Sequence, residues 1–133
     1  MQSEKPIYKK PFEIIDTYEE STWMGNDTPF METEYTGVFR DKYPCTSGHT
    51  LFIPKKDTPE YVGQSYGLAY EYGNKKIKAG KIMGFNVGMN IGLCAGQTIL
   101  WPHIHFIPRH EGDAEHHGGM RYSHPSADHN HYY

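Results

Sequence analysis

The sequence predicts an α+β fold, with short strands laid around one substantial helix. Three stretches predict it. Trp101 to Pro108 alternates in the two-residue period of an extended strand, and Phe85 to Gly92 alternates with apolar residues in the same way. Between these and an earlier pair of β-prone runs, Thr58-Pro59-Glu60 opens a helix. It offers a hydroxyl for the N-cap, a proline for the first helical position and an acid for the first turn.

Residues 1–11 are polar, with Lys5-Pro6 and Lys9-Lys10-Pro11, and are expected to be a flexible lead-in. Phe12-Glu13-Ile14-Ile15 is a short apolar patch. Residues 16–33 hold Ser21, Gly25, Asn26, Asp27 and Pro29 and read as loop. Tyr35 to Arg40 reads as a strand. Asp41 to Pro44 is a turn, since Pro44 has no N–H to give a ladder. Thr50-Leu51-Phe52-Ile53 is a second strand, ended by Pro54.

Along the helix, Tyr61, Leu68, Ala69 and Tyr72 are expected to share one face. Gly63, Gly67 and Gly73 weaken it locally, and Lys75, Lys76 and Lys78 suit its negative C-terminal end. The alternation after Gly96 places Trp101, His103, His105 and Ile107 on one side of a strand, and Pro102, Ile104, Phe106 and Pro108 on the other. Neighbouring imidazoles on one face lie roughly 6.5–7 Å apart along the strand, within reach of one substrate group or one metal ion. Upstream, Gly96-Gln97-Thr98 supplies neutral donors suited to phosphate oxygens. Five of the nine histidines fall between His116 and His131. A flexible polar terminus is expected there, with a metal-binding tract as the alternative.

The length of 133 residues fits one domain, read as 1–133 with flexible ends at 1–11 and 122–133. A net charge of −3 and the lack of a basic stripe argue against nucleic acid. Cys45 and Cys94 form no motif and are expected to stay thiols. No secretory leader or membrane-length apolar run is visible, so a cytoplasmic location is expected, with no membrane partner.

Three segments resemble one family. Gly96-Gln97-Thr98, then Trp101-Pro102-His103-Ile104-His105, then Phe106-Ile107-Pro108-Arg109 is similar without gaps to the signature of the histidine triad (HIT) nucleotide hydrolases and transferases. Trp101 stands where that signature has its first histidine. Phe39-Arg40-Asp41, Pro44, Gly48-His49 and Pro54-Lys55 resemble an upstream pattern of the same family, and Asn86-Val87-Gly88-Met89-Asn90 resembles its Asn-x-Gly-x-Asn strand. Asp57 stands where the family often has a histidine.

The resemblance implies an antiparallel sheet of about five strands with one main helix, and a homodimer. It implies a hydrolase cleaving at the α-phosphate of an adenine or purine nucleotide conjugate, either a dinucleoside polyphosphate or a phosphoramidate. His103 would take the nucleotidyl group covalently. His105, Gln97 and Thr98 would hold phosphate and leaving-group oxygens. Asp41 would accept from the ribose hydroxyls, while Phe39, Asn90, Phe12 and Ile15 would complete the nucleotide site. His49 is assigned to structure or to support of the site. No cofactor and no metal are expected. Trp101 predicts reduced turnover, and its replacement by histidine should then be faster. A catalytically weak or inactive nucleotide-binding protein is the first alternative.

The residues alone leave a second alternative, a metal-binding His-x-His β-barrel of the cupin kind. Six residues separate Gly96 from His103, and Glu111 follows His105 by six, both longer than that pattern uses. The helix after Thr58 also argues against it.

Overall fold

The structure, a computed structural model, describes residues 13–114 and 118–127. Its centre is an antiparallel sheet of five strands: β2 (Met31–Glu32), β3 (Thr36–Arg40), β4 (Thr50–Pro54), β5 (Gly84–Gly88) and β7 (Ile104–Arg109). Their order across the sheet is β2-β3-β4-β7-β5. One main helix, α2 (Pro59–Lys78), connects β4 to β5. Two short pieces, β1 (Glu13–Ile14) and β6 (Ile99–Leu100), pair in parallel as a separate two-stranded sheet. The expected α+β class and sheet are therefore what forms. An open sheet covered by a helix replaces the β-barrel alternative.

Alternation along the strands divides the core in two. Phe39, Leu51 and Ile53 face one side, where they meet Ile15, Tyr18 and Trp101. Val38, Phe52, Ile104 and Phe106 face the other side, against Ala69 of α2 and Ile82. Strands β3 and β4 thus bury both faces, which explains why they read as nearly continuous apolar runs.

Helix α2 begins where its sequence predicts. Thr58 caps it by accepting from the Tyr61 N–H at 3.2 Å. The buried face differs from the expected one, being a stripe of Ser65, Ala69 and Gly73. Leu68 and Tyr72 flank it, partly buried. Small residues let the helix press onto the sheet. Ser65 Oγ donates to the Tyr61 carbonyl at 2.8 Å, so in its 2.6 Å bond with Thr36 Oγ1 the threonine is the donor.

At Gly73 a β-carbon would collide with the Phe85 ring. Gly73→Ala therefore sets a helix-propensity gain of about 1 kcal/mol against an overpacking cost of about 1–3 kcal/mol. The expected outcome is net destabilisation, seen as a lower urea midpoint at unchanged slope.

Three local expectations change. Residues 16–33 are not all loop: Ser21 caps a short helix, α1 (Thr22–Asn26), and β2 follows. Strand β5 stops at Gly88, so Asn90 lies past its end. Strand β7 starts at Ile104, so Trp101 and His103 precede it, in the link from β6. Near the C-terminus, Gly119–Ser123 forms a 3-10 turn. Phe12 and the histidines at 116, 117, 129 and 131 lie outside the described residues. Among the described residues, no helix is long and apolar enough to cross a membrane.

Candidate active site

His105 lies on β7, between β4 and β5, opposite Leu51 on one side and Gly88 on the other. His49 ends the loop that enters β4, and Asp41 starts that loop just beyond β3. The backbone ties the loop shut, with Asp41 N–H donating to the His49 carbonyl at 3.0 Å. Two side chains of one loop and a third from a distant strand therefore converge. His49 Nε2 is 2.9 Å from His105 Nδ1 and 3.3 Å from Asp41 Oδ2. His105 Nδ1 is 3.9 Å from the same carboxylate oxygen.

The donors in this cluster follow from one backbone contact. Cys45 N–H donates to His49 Nδ1 at 3.1 Å. A neutral imidazole has one N–H, so His49 carries its proton on Nε2. That proton is shared between His105 Nδ1 and Asp41. His105 Nδ1 accepts, which puts the His105 proton on Nε2, where no described residue takes it. The same three donor atoms lie within 4.8 Å of one another, close enough for a metal ion. A metal would need the Nε2 lone pair of His49, and the Cys45 N–H requires that nitrogen to hold the proton. The arrangement fits a hydrogen-bond relay and not a ligand set.

His103 has the opposite polarity. Its Nδ1 is 2.7 Å from the Trp101 carbonyl, which only accepts. Nδ1 therefore holds the proton and Nε2 keeps a free lone pair. His103 is 9% exposed. Burial holds its pKa below the usual histidine value, against the smaller opposing pulls of the Trp101 carbonyl and Asp41. His105 is pushed down to about 4, first by burial and then by His103 and His49, with Asp41 opposing. The two rings lie 5.3 Å apart. At neutral pH the site thus offers one imidazole lone pair beside one imidazole N–H.

The other sequence-predicted residues sort differently. Gln97 spends its amide on its own loop: Oε1 accepts from Gly92 N–H at 2.8 Å and Nε2 donates to the Ile99 carbonyl at 3.1 Å. Gly92 and Gly96 make that closure possible with φ near +90°, a region other residues avoid. Thr98 and Asn90 are exposed. Extending the β5–β7 register from Gly88 and His105 puts position 90 level with position 103. Asp41 Oδ1 accepts from Tyr43 N–H at 2.8 Å, so this carboxylate caps its own turn while its other oxygen meets His49. Phe39 is 1% exposed, a core residue beneath the site and not an open wall. Ile15 is buried beside it.

Trp101 is buried in the same cluster, and its Nε1–H donates to the Pro54 carbonyl at 2.9 Å. A cleft of about 460 Å³ opens on its flank, bordered by Ile15, Lys55, Lys56 and Asp57, and includes none of the histidines. Trp23, which belongs to none of the motifs, also reaches the site. Its ring centre is 5.0 Å from that of His103.

A family model described as the HIT domain matches residues 25–112, which include the whole histidine cluster. The chain belongs to the HIT domain family. An uncharacterized HIT-like protein of Methanocaldococcus jannaschii is 36% identical over 90 residues, covering 63% of this chain and 70% of the relative. An adenylylsulfatase of Arabidopsis thaliana is 36% identical over 80 residues, covering 55% of this chain but only 41% of the plant protein. The Plasmodium falciparum diadenosine triphosphate hydrolase, solved with cyclomarin A, is similar with a TM-score of 0.56 and 26% identity, over 63% of this chain and 62% of that one. Within this HIT domain, the matched region joins the Asp41–His49 loop to the β6–β7 link that carries His103. Trp23 lies just outside it.

Proposed function

We propose that this HIT-domain protein is a nucleotide hydrolase. It cleaves at the α-phosphate of an adenine or purine nucleotide conjugate, a dinucleoside polyphosphate or phosphoramidate, through a nucleotidyl group carried on His103. The observation that carries this reading is the 2.7 Å bond from His103 Nδ1 to the Trp101 carbonyl, which leaves Nε2 as a buried, unprotonated nucleophile. The plant relative's name, an adenylylsulfatase, and the Plasmodium hydrolase's name both describe cleavage beside an adenylyl phosphate, which supports the substrate class.

The His103 Nε2 lone pair forms the bond to phosphorus. The bond from phosphorus to the leaving group breaks, and its electron pair departs with that group. His105 donates from Nε2–H to the phosphate or the leaving group and offsets developing charge. Water then attacks the same phosphorus, returns the electron pair to Nε2 and loses its proton to solvent. Neutral donors and fixed positions suffice for such transfer. Gln97 acts by closing the Gly92–Ile99 loop, with Thr98 on its open side. Asp41 keeps lone pairs for the ribose hydroxyls, Asn90 reaches the phosphate from the β5 end, and Ile15 borders the base.

In this reading Trp101 occupies the place of the first triad histidine. Its backbone carbonyl, not its side chain, does the buttressing. The protein works as a cytoplasmic homodimer.

Incubation with a diadenosine polyphosphate or an adenosine phosphoramidate, followed by rapid quench and peptide mapping, tests the reading. The expected result is release of nucleoside monophosphate and an acid-labile adduct on His103. Nucleotide binding without release or adduct would leave a binding protein only. The pH profile is a second check. Protonating His103 abolishes the nucleophile, and its pKa lies below 6.5. The rate of adduct formation should therefore stay flat from pH 8 to below 6.5 and fall only at lower pH.

A further inference from the structure

Trp23 enters the site from an element that no part of the proposed reaction has used. Ser21 is buried, and its Oγ accepts from Met24 N–H at 3.3 Å. Gly25 N–H donates to the Ser21 carbonyl at 2.9 Å. These bonds fix the single turn of α1, and Trp23 packs from it onto the Ile15–Tyr18–Trp101 cluster. Its indole lies half-buried with its ring centre 5.0 Å from that of His103, the planes tilted by 50°. That separation is inside the roughly 6 Å range over which an indole attracts a cation.

His103 is neutral in the resting site. When Nε2 bonds phosphorus while Nδ1 keeps its proton, the ring takes a formal positive charge. The Trp101 carbonyl accepts from the N–H of that charged ring, and among the described residues no carboxylate forms an ion pair with it. The nearby charged group, Asp41, is engaged by His49 and His105.

We propose that Trp23 is a positioning residue that holds the His103 ring and stabilises its cationic, nucleotidylated form, an assignment that rests on the covalent reading of the site. The attraction is absent while the ring is neutral and present once it is charged, so it speeds bond formation more than substrate binding.

Trp23→Phe keeps an aromatic face with a weaker quadrupole, and Trp23→Leu keeps apolar cover with none. Single-turnover adduct formation is expected to slow slightly in the Phe variant and about 3- to 30-fold in the Leu variant, with KM unchanged. Equal loss in both variants, a wild-type rate in the Leu variant, or a loss confined to KM would each overturn the role.

A ligand-free measurement separates this from failure of the reaction scheme. His103 faces His105, Asp41 and Trp23, and only Trp23 changes in the variants. Nuclear magnetic resonance should find His103 harder to protonate in Trp23→Leu than in the wild type. An unchanged or easier protonation refutes the Trp23 contact even if neither protein forms an adduct. Absence of adduct in the wild type refutes the covalent scheme instead.

Discussion

Replacing His103 by alanine is expected to lower nucleotide release by at least about 10⁴-fold, as loss of a nucleophile does where the remaining groups only bind and polarise. The reason for so large an effect is that, among the described residues, no neighbouring imidazole offers a substitute lone pair. His105 Nδ1 is occupied by the His49 proton, and its Nε2 carries a proton of its own. His49 Nδ1 is occupied by the Cys45 N–H. Affinity for a nucleoside monophosphate should change by less than about threefold, since Asp41, Asn90 and the loop closed by Gln97 are untouched. Steady-state release and calorimetric binding on the same preparation check both halves. Residual turnover near 1% of wild type would mean that another atom attacks phosphorus.

The structure also explains why some of this was legible in the sequence. Strands β3, β4 and β7 and the start of α2 depend on local rules: a period of two, an N-cap hydroxyl, a proline at the first helical position. Those rules act within a few residues, so reading the chain in order finds them. The His103 tautomer is also nearly local, because the carbonyl that fixes it is two residues away. The buried stripe on α2 is different. Ser65, Ala69 and Gly73 carry little apolar signal, and their burial follows from how closely the helix approaches Phe85.

The relay between His49 and His105 was hidden for another reason. The two residues are 56 positions apart, and only the β3–β4–β7 register brings them together. Sequence spacing carries no trace of that contact. The two oxygens of Asp41 take separate partners, one capping its own turn and one meeting His49, a division that residue type alone does not specify. Trp23 was hidden by Gly25, Asn26 and Pro29, whose turn-forming character masks a single helical turn held by Ser21. Phe39 and Gln97 were found by resemblance, which locates a position without saying which way its side chain is spent. One supports from the core, and the other closes a loop.

Trp101→His is expected to destabilise the protein by about 2–4 kcal/mol and to leave turnover of the folded molecules within about threefold of wild type. By motif alone the substitution restores a histidine and should accelerate the reaction. The geometry argues otherwise. Support of the nucleophile comes from the backbone carbonyl at position 101, which the substitution keeps. The side chain serves the core: it is 6% exposed, packs with Phe39, Leu51 and Ile53, and satisfies the Pro54 carbonyl. Imidazole is smaller than indole, so it leaves a cavity there. If the ring also fails to reach Pro54, a buried acceptor goes unpaired at a further cost of about 1 kcal/mol or more. Urea denaturation measures the first effect, and single-turnover kinetics at low temperature measure the second. A Trp101→His protein that keeps its stability and forms the adduct tenfold faster would return the buttressing role to the side chain.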